Sequence, residues 1–248
     1  MRVLRKLAVG LAFSVTAMTA NAAPIIVISQ IYGGGGNAGA VYTHDFIELF
    51  NASQTTVSLT GWSLQYASAT GTGNFGANTG QLTELSGSLL PGQYFLVQQG
   101  AGAGAGVPLP TPDLIDGTPI AMAAGAGKVA LVDGTTGLGC NGGSTPCSAE
   151  QLARILDLVG YGNANFFEGD GAAPTLTNTT AAFRSGGGCI DTDNNAADFT
   201  AGTPSPRNRS SPLNLCAAPP PNGAPEPGTL ALLGLGLAGL AATRRRKQ

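Results

Sequence analysis

The sequence contains few charged residues, and most of its positive charge lies at the two ends. Asp, Glu, Lys and Arg make up only 10% of the 248 residues, and seven of the twelve Lys and Arg residues lie close to a terminus. Residues 23–225 contain five basic and thirteen acidic residues, a net charge of −8. Because affinity for DNA or RNA depends largely on Lys and Arg neutralising phosphates, we expect no nucleic-acid partner.

The chain contains a single histidine, His44. A Ser-His-Asp triad or a multi-histidine metal site would have to be built around this one residue, and no G-x-S-x-G motif is present. Asp45 and Glu48 lie close to it in sequence, but solvated carboxylates at a strand edge are the commoner arrangement. We therefore expect a non-enzyme, with no cofactor other than calcium, which is considered below.

No stretch has convincing helical periodicity, with the exception of residues 149–158. Short runs of strand-forming residues, such as residues 45–51, 94–98 and 128–133, alternate instead with turns that draw on 38 Gly and 16 Pro. This pattern predicts an all-β fold, an antiparallel β-sandwich. The low-complexity residues 100–112 are predicted to form a mobile loop within it.

Residues 1–22 have the three parts of a secretory signal peptide. A basic start precedes an apolar stretch, and Ala20-Asn21-Ala22 matches an A-x-A cleavage site. A membrane anchor is the alternative, but the apolar run is short and ends in small residues. The N-terminus therefore predicts export.

The chain has only four cysteines, and in an oxidising compartment an even number favours two disulfides over a metal site. Four cysteines allow three pairings. The short Gly-rich span between Cys140 and Cys147 favours one bridge, and the position of Cys216 at the end of the domain favours a second bridge to Cys189. We therefore predict the pairs Cys140–Cys147 and Cys189–Cys216.

Three sequence elements follow one another at the C-terminus. After a Pro-rich linker, residues 213–224, the first element is Pro225-Glu226-Pro227, and the second is the uncharged run of residues 229–243, which predicts a transmembrane helix. The third element is a basic cluster at residues 244–247, which comprises Arg244, Arg245, Arg246 and Lys247. By the positive-inside rule this cluster stays in the cytoplasm, so the domain upstream faces the periplasm.

Residues 225–248 resemble the PEP-CTERM sorting signal, because all three elements are present in the same order. The resemblance implies that an exosortase-type membrane protease removes the tail near Pro225-Glu226-Pro227. It also implies that the protein is anchored transiently in the inner membrane and then passes to the outer surface or an extracellular polysaccharide matrix. An ordinary C-terminal tail anchor is the alternative, but it would not need the Pro-Glu-Pro motif.

Residues 26–211 are similar to the bacterial lamin-tail domain. The stretches that carry the resemblance are residues 28–32, 45–51, 59–66, 90–96, 127–132, 157–162 and 191–199. The resemblance implies an immunoglobulin-like β-sandwich over residues 23–212. This domain also occurs joined to secreted nucleases, but a nuclease domain is missing here, so it implies a binding or structural module.

Asp191, Asp193 and Asn195 reproduce the first three ligand positions of a calcium loop, and Asp198 adds an oxygen donor nearby. The match to an EF-hand stops there, because Ala196 and Gly202 take the places of the required Gly and Glu. An Asx-rich turn whose side chains cap their own backbone is the alternative.

The sequence favours one function and leaves two others open. The favoured function is an exported, non-catalytic module of the cell surface or extracellular matrix. The alternative is a calcium-dependent protein that binds the carbohydrate of an extracellular polysaccharide. A secreted hydrolase is third, because the chain has so few candidate catalytic residues.

Overall fold

The computed structural model describes residues 26–217, in which short strands rich in β-branched and aromatic residues are joined by turns of Gly, Pro, Asn and Ser. The strands are β1 (Ile26–Tyr32), β2 (His44–Asn51), β3 (Val57–Ser58), β4 (Trp62–Ser68), β5 (Leu82–Glu84), β6 (Ser88–Leu89), β7 (Tyr94–Ala101), β8 (Leu114–Ile115), β9 (Gly127–Asp133), β10 (Ile155–Tyr161), β11 (Ala181–Arg184) and β12 (Phe199–Gly202). The α-helices are α1 (Ala149–Leu152) and α2 (Asn195–Asp198), and 3-10 turns occur at Thr79–Gln81 and Ser185–Gly188.

Two sheets pack face to face, which confirms the predicted all-β sandwich and is consistent with an immunoglobulin-like fold. One sheet has six strands in the order β12-β11-β1-β2-β7-β8, and the other has four in the order β10-β9-β4-β5. A two-stranded sheet, β3-β6, lies beside them. The prediction of purely antiparallel pairing is wrong at one edge, because β8 pairs with β7 in parallel.

The main core lies between the two large sheets and follows the alternation of side chains along each strand. In β2, Ile47 and Leu49 enter this core, whereas Phe46 and Phe50 belong to clusters on the opposite face of the sheet. The four-stranded sheet contributes Leu64, Tyr66, Val129, Leu131 and Val159. Trp62 is half-buried and packs against this core. Each fully buried aliphatic side chain contributes about 1.5–3 kcal/mol, so this layer is the main source of stability.

A C-terminal segment covers part of the outer face of the six-stranded sheet, where it helps to bury Glu48 of β2. We call this segment, residues 203–217, the C-terminal clasp. The backbone of Ser205 exchanges two hydrogen bonds with the side chain of Gln30 in β1, and Arg207 pairs with Glu48 in β2. The six-stranded sheet is therefore the middle layer of the domain along the path of the clasp.

The helix predicted over residues 149–158 is shorter in the structure, where α1 ends at Leu152. Ser148 starts it with a capping box in which Ser148 and Gln151 satisfy each other's backbone N–H groups. From Ile155 onward the chain pairs with β9 as strand β10, because its apolar side chains gain more from the sheet and core than from a surface helix. Of the predicted loop, residues 100–112, the first two end β7, and the rest contact the fold through bridges from Ala105 to Gly36 and from Val107 to Tyr42.

Within residues 26–217, no helix has both the length and the apolar character needed to cross a membrane. The predicted signal peptide, residues 1–22, and the predicted transmembrane helix, residues 229–243, lie outside the described residues.

Candidate functional site

Buried charged side chains surround Arg184, the last residue of β11. Its Nη2 donates to both carboxylate oxygens of Asp157 in β10, at 2.8 and 2.9 Å, and its Nη1 donates to Asp191 at 2.5 Å. Its Nε donates to the carbonyl of Ile28, whose own N–H donates to Asp157. Because Arg184 belongs to the six-stranded sheet and Asp157 to the four-stranded sheet, this network joins the two sheets.

The structure gives the four side chains that were predicted to bind calcium different surroundings. Asp191 and Asp198 both face Arg184, and Asp198 also accepts hydrogen bonds from the N–H and hydroxyl of Thr192. Asp193 is exposed and takes a left-handed φ of 53°. Two of the predicted ligands therefore already neutralise a buried guanidinium, and the calcium site stays a prediction.

Asn195, the fourth predicted ligand, is buried and closes the outer edge of β10. Its Oδ1 accepts a hydrogen bond from the N–H of Gly160, and its Nδ2 donates to the carbonyl of Leu158, each at 2.9 Å. Glu168 accepts a hydrogen bond from the N–H of Leu158 at 3.1 Å. These side chains bind backbone N–H and carbonyl groups at the outer edge of β10, as a neighbouring strand would. These groups are therefore not free to pair with a strand of another chain.

Glu168 also belongs to a trio of carboxylates that differs from the predicted set. One carboxylate oxygen from each of Glu168, Asp191 and Asp193 lies within 4.8 Å of the others. Burial, together with the charges of Asp157 and Asp191, raises the pKa of Glu168 to about 9. Burial also raises the pKa of Asp191 to about 6, against the opposing effect of Arg184. Glu168 is therefore protonated at neutral pH, and a divalent cation would have to displace this proton to use it as a ligand.

Asp45 and Glu48 are buried in the middle of a sheet, so the expectation of solvated carboxylates at a strand edge is wrong. Asp45 accepts hydrogen bonds from the N–H groups of Gly35 and Met122, and burial raises the pKa of Asp45 to about 7. Glu48 is fully buried and accepts a hydrogen bond from Nη2 of Arg207 at 2.7 Å. Both carboxylates hold segments of the fold together, and neither opens onto solvent.

Lys128 in β9 is a second buried cation that sequence reasoning did not single out. Its side chain is fully buried, and its Nζ donates to the carbonyl of Asn141 at 2.8 Å and to Oδ1 of Asn165 at 2.9 Å. Within residues 26–217 it forms no ion pair, and burial lowers the pKa of Lys128. The only sequence signal for it was a charged residue inside an otherwise apolar strand.

The structure confirms both predicted disulfides. Cys140 is bonded to Cys147, and Cys189 to Cys216. The first bridge closes a short loop over the outer face of the four-stranded sheet, where Leu138 packs. The second ties the end of the C-terminal clasp to the turn after β11. The predicted sorting residues Pro225, Glu226, Pro227, Arg244, Arg245 and Arg246 lie outside the described residues.

Comparisons with known proteins give two family matches and also find similar solved structures. Residues 19–143 match the Lamin Tail Domain, and residues 224–247 match the PEP-CTERM protein-sorting motif. No curated protein matches the chain. A solved structure of a DUF4876 family protein from Bacteroides thetaiotaomicron VPI-5482 has 14% sequence identity and a TM-score of 0.46, and the alignment covers 77% of this chain and 74% of that one.

The family match ends at residue 143, in the loop before α1. The strands beyond it still belong to the same two sheets, since β10 pairs with β9, and β11 pairs with β1. The matched half therefore depends on the unmatched half for one edge of each sheet. The chain belongs to the Lamin Tail Domain family and carries a PEP-CTERM protein-sorting motif at its C-terminus.

Proposed function

We propose that the chain is an exported surface module whose tail is recognised and removed by an exosortase-type membrane protease. The observation that carries this proposal is the PEP-CTERM motif at residues 224–247, which follows a folded domain after only a short linker. The last bonded side chain of the domain is Cys216, eight residues before the motif begins. The protease would therefore act on a segment outside the folded domain, and cleavage would release the sandwich intact.

Export to an oxidising compartment is supported by the two disulfides. All four cysteines in the chain are paired, and structural disulfides persist mainly outside the cytosol. In this proposal residues 1–22 direct the chain across the inner membrane. The tail holds it there with the domain in the periplasm, and the processed domain then passes to the outer surface or the extracellular matrix.

A non-catalytic role for the domain is part of the same proposal. Its buried carboxylates are engaged with structural partners: Asp157 with Arg184, Glu48 with Arg207, and Asp45 with two backbone N–H groups. The single histidine, His44, is hydrogen-bonded through Nδ1 to the adjacent hydroxyl of Thr43. These contacts support a structural or binding module over a hydrolase.

A calcium-dependent carbohydrate-binding protein is the weaker candidate. Its support is the trio of Glu168, Asp191 and Asp193. The guanidinium of Arg184 already lies against one of these carboxylates. Calorimetric titration of calcium into the chelator-treated protein tests this role, which requires both heat of binding and a rise in melting temperature.

Two changes in the tail test the proposed function in a host that has an exosortase. Glu226→Ala alters the Pro-Glu-Pro motif, and replacing Arg244, Arg245 and Arg246 by Ser removes most of the basic cluster. We expect both variants to fold normally but to lose processing or surface delivery, and Glu226→Ala to accumulate unprocessed in the inner membrane. Cell fractionation and the mass of the surface form measure this.

A matched control is Glu84→Ala, which removes an exposed carboxylate of β5 and should leave processing unchanged. The proposed function is wrong if both tail variants reach the surface in normal amounts and at the mass of the wild-type surface form.

A further inference from the structure

Exposed aliphatic side chains are concentrated where the described chain ends. Four of the seven large apolar side chains that are exposed within residues 26–217 lie near this end, and we call them the exit patch. They are Leu90 (51% exposed), Ile190 (48%), Leu213 (53%) and Leu215 (65%). Clusters of exposed apolar side chains on a soluble domain mark surfaces that contact something else.

Asn214 holds the three segments of the exit patch together. Its N–H donates to the carbonyl of Gly92, in the turn that begins at Leu90, at 2.9 Å. Its Nδ2 donates to the carbonyl of Gly186 at 2.9 Å. Gly186 in turn lies against the side chain of Ile190, because a Cβ added to this glycine would be 3.0 Å from Cγ1 of Ile190. The patch is therefore a fixed part of the folded surface, built from segments that are distant in sequence.

The patch surrounds the point from which the chain continues toward the predicted membrane segment. Eleven residues lie between Ala217 and Thr229, where the uncharged run begins, and a chain of this length reaches at most about 40 Å. A domain of this size has a radius of gyration of about 16 Å, so its diameter is similar to that reach. While the tail is in the membrane, such a tether keeps the exit patch near the bilayer.

The charge of this face also differs from that of the rest of the domain. Residues 203–217 contain Arg207 and Arg209 and no acidic residue, whereas residues 26–202 contain three basic and thirteen acidic residues. Anionic lipids attract basic segments and repel acidic surfaces. Arg207 is paired with the buried Glu48, which leaves Arg209 as the clasp's other cation, so an anionic bilayer would repel the clasp less than the acidic remainder of the domain. The leucines of the clasp are the side chains that would enter the interface.

We propose that the exit patch docks on the lipid surface of the inner membrane while the chain is anchored by its tail. This inference rests on the proposed function, because it requires the tail to insert. Docking would orient the sandwich with its clasp toward the bilayer and its other end outward.

Photo-crosslinking of the full chain in vesicles tests the proposal. The purified protein is reconstituted into vesicles of phosphatidylethanolamine and phosphatidylglycerol that include a lipid with a diazirine close to its headgroup. After irradiation, reduction and digestion, mass spectrometry locates the lipid adducts. We expect adducts on the segments that contain Leu90 and Leu213–Leu215, and none on the segment that contains Leu152, an exposed leucine beside the four-stranded sheet.

A double variant distinguishes docking of the exit patch on the bilayer from labelling that occurs only because the tail keeps the domain near it. Leu213→Ser with Leu215→Ser should lower the labelling of the unchanged Leu90 segment at least about tenfold, because most of the exposed apolar surface of the patch is lost. Leu152→Ser should leave it unchanged. Formation of the Cys189–Cys216 disulfide shows that the double variant has folded.

The outcomes separate this inference from the proposed function. If the chain floats with the vesicles but the adducts are spread evenly over the domain, docking is wrong and anchoring stands. If the chain floats with the vesicles, the exit patch carries no adducts and the protein sediments as a dimer in detergent, a second chain replaces the bilayer as the occupant of the patch. If the chain does not float with the vesicles, membrane anchoring by the tail fails, and this inference fails with it.

Discussion

Replacing Arg184 by methionine would remove the cation that lies among three buried carboxylates. The variant keeps a side chain of similar length but leaves Asp157, fully buried between the sheets, without its bidentate partner. Breaking a buried ion pair by removing one member costs about 3–5 kcal/mol, because the remaining charge is desolvated and uncompensated. Domains are commonly stable by about 5–15 kcal/mol, so Arg184→Met should remove a large part of the free energy of unfolding.

Thermal and urea unfolding measure the effect. For a domain of this size each kcal/mol shifts the melting temperature by about 2–4 °C, so a fall of about 6–20 °C is expected. Burial raises the pKa of Asp157, and Arg184 opposes this, so without Arg184 the carboxyl keeps its proton to higher pH in the folded state. A folded pKa above the unfolded value means that stability falls as pH rises, so the loss should be larger at pH 8 than at pH 5.

Arg154→Met is the matched control. Arg154 is half-buried and donates only to the carbonyls of Asp133 and Thr136 and to the hydroxyl of Thr136. Its loss should cost less than about 1 kcal/mol. The ion pair between the sheets does not stabilise the fold as described if Arg184→Met lowers the unfolding free energy no more than Arg154→Met does. The same holds if the loss caused by Arg184→Met is equal at pH 5 and pH 8.

Two other predictions follow from the contacts already described. Replacing Cys189 and Cys216 by Ser should cost about 3.5 kcal/mol, and replacing Cys140 and Cys147 about 2.5 kcal/mol, because the Cys189–Cys216 bridge closes the longer loop. Urea unfolding measures both losses, and equal losses would contradict this order. Burial raises the pKa of Asp45 in the folded state to about 7, against an ordinary value of 3.8. The protonated carboxyl therefore stabilises the fold fully below pH 3.8, and this stabilisation, up to about 4 kcal/mol of unfolding free energy, is lost as pH rises through 7. Asp45→Asn should therefore flatten the dependence of unfolding free energy on pH between 4 and 7, and an unchanged slope would show that Asp45 does not titrate in that range.

The features that sequence predicted correctly are the ones that depend on local chemistry. Strand β2 was expected from the dense strand formers of residues 45–51, and strand β9 from residues 128–133. The pairing of Cys140 with Cys147 followed from the short span between them, and that of Cys189 with Cys216 from the position of Cys216 at the end of the domain.

The burial of Glu48 could not be predicted in the same way. In sequence it is one carboxylate in a run of strand formers, and nothing nearby neutralises it. Its partner, Arg207, lies 159 residues later and reaches it only because the clasp crosses the sheet. The parallel pairing of β8 with β7 also depends on the path of a long connection. Such contacts are fixed by tertiary packing, which the local pattern does not encode.

Asn195 shows how a correct motif can have a different use. The spacing of Asp191, Asp193 and Asn195 fits a calcium loop. The side-chain amide of Asn195 instead binds the backbone of β10, where it accepts from the N–H of Gly160 and donates to the carbonyl of Leu158. An amide both donates and accepts hydrogen bonds, so it can replace a neighbouring strand in a way that a carboxylate cannot. Residue type and spacing therefore predicted a polar turn, but only the position of β10 decides what that turn binds.

The shortage of positive charge noted in the sequence is more pronounced on the surface of the domain. Lys128 and Arg184 are buried, and Arg207 is paired with Glu48. Most of the acidic residues, in contrast, remain at least partly exposed. A surface of this kind is repelled by anionic lipids and polyanions over most of its area. The clasp contains Arg207 and Arg209 and no carboxylate, so the charge distribution and the exit patch favour the same orientation at a membrane.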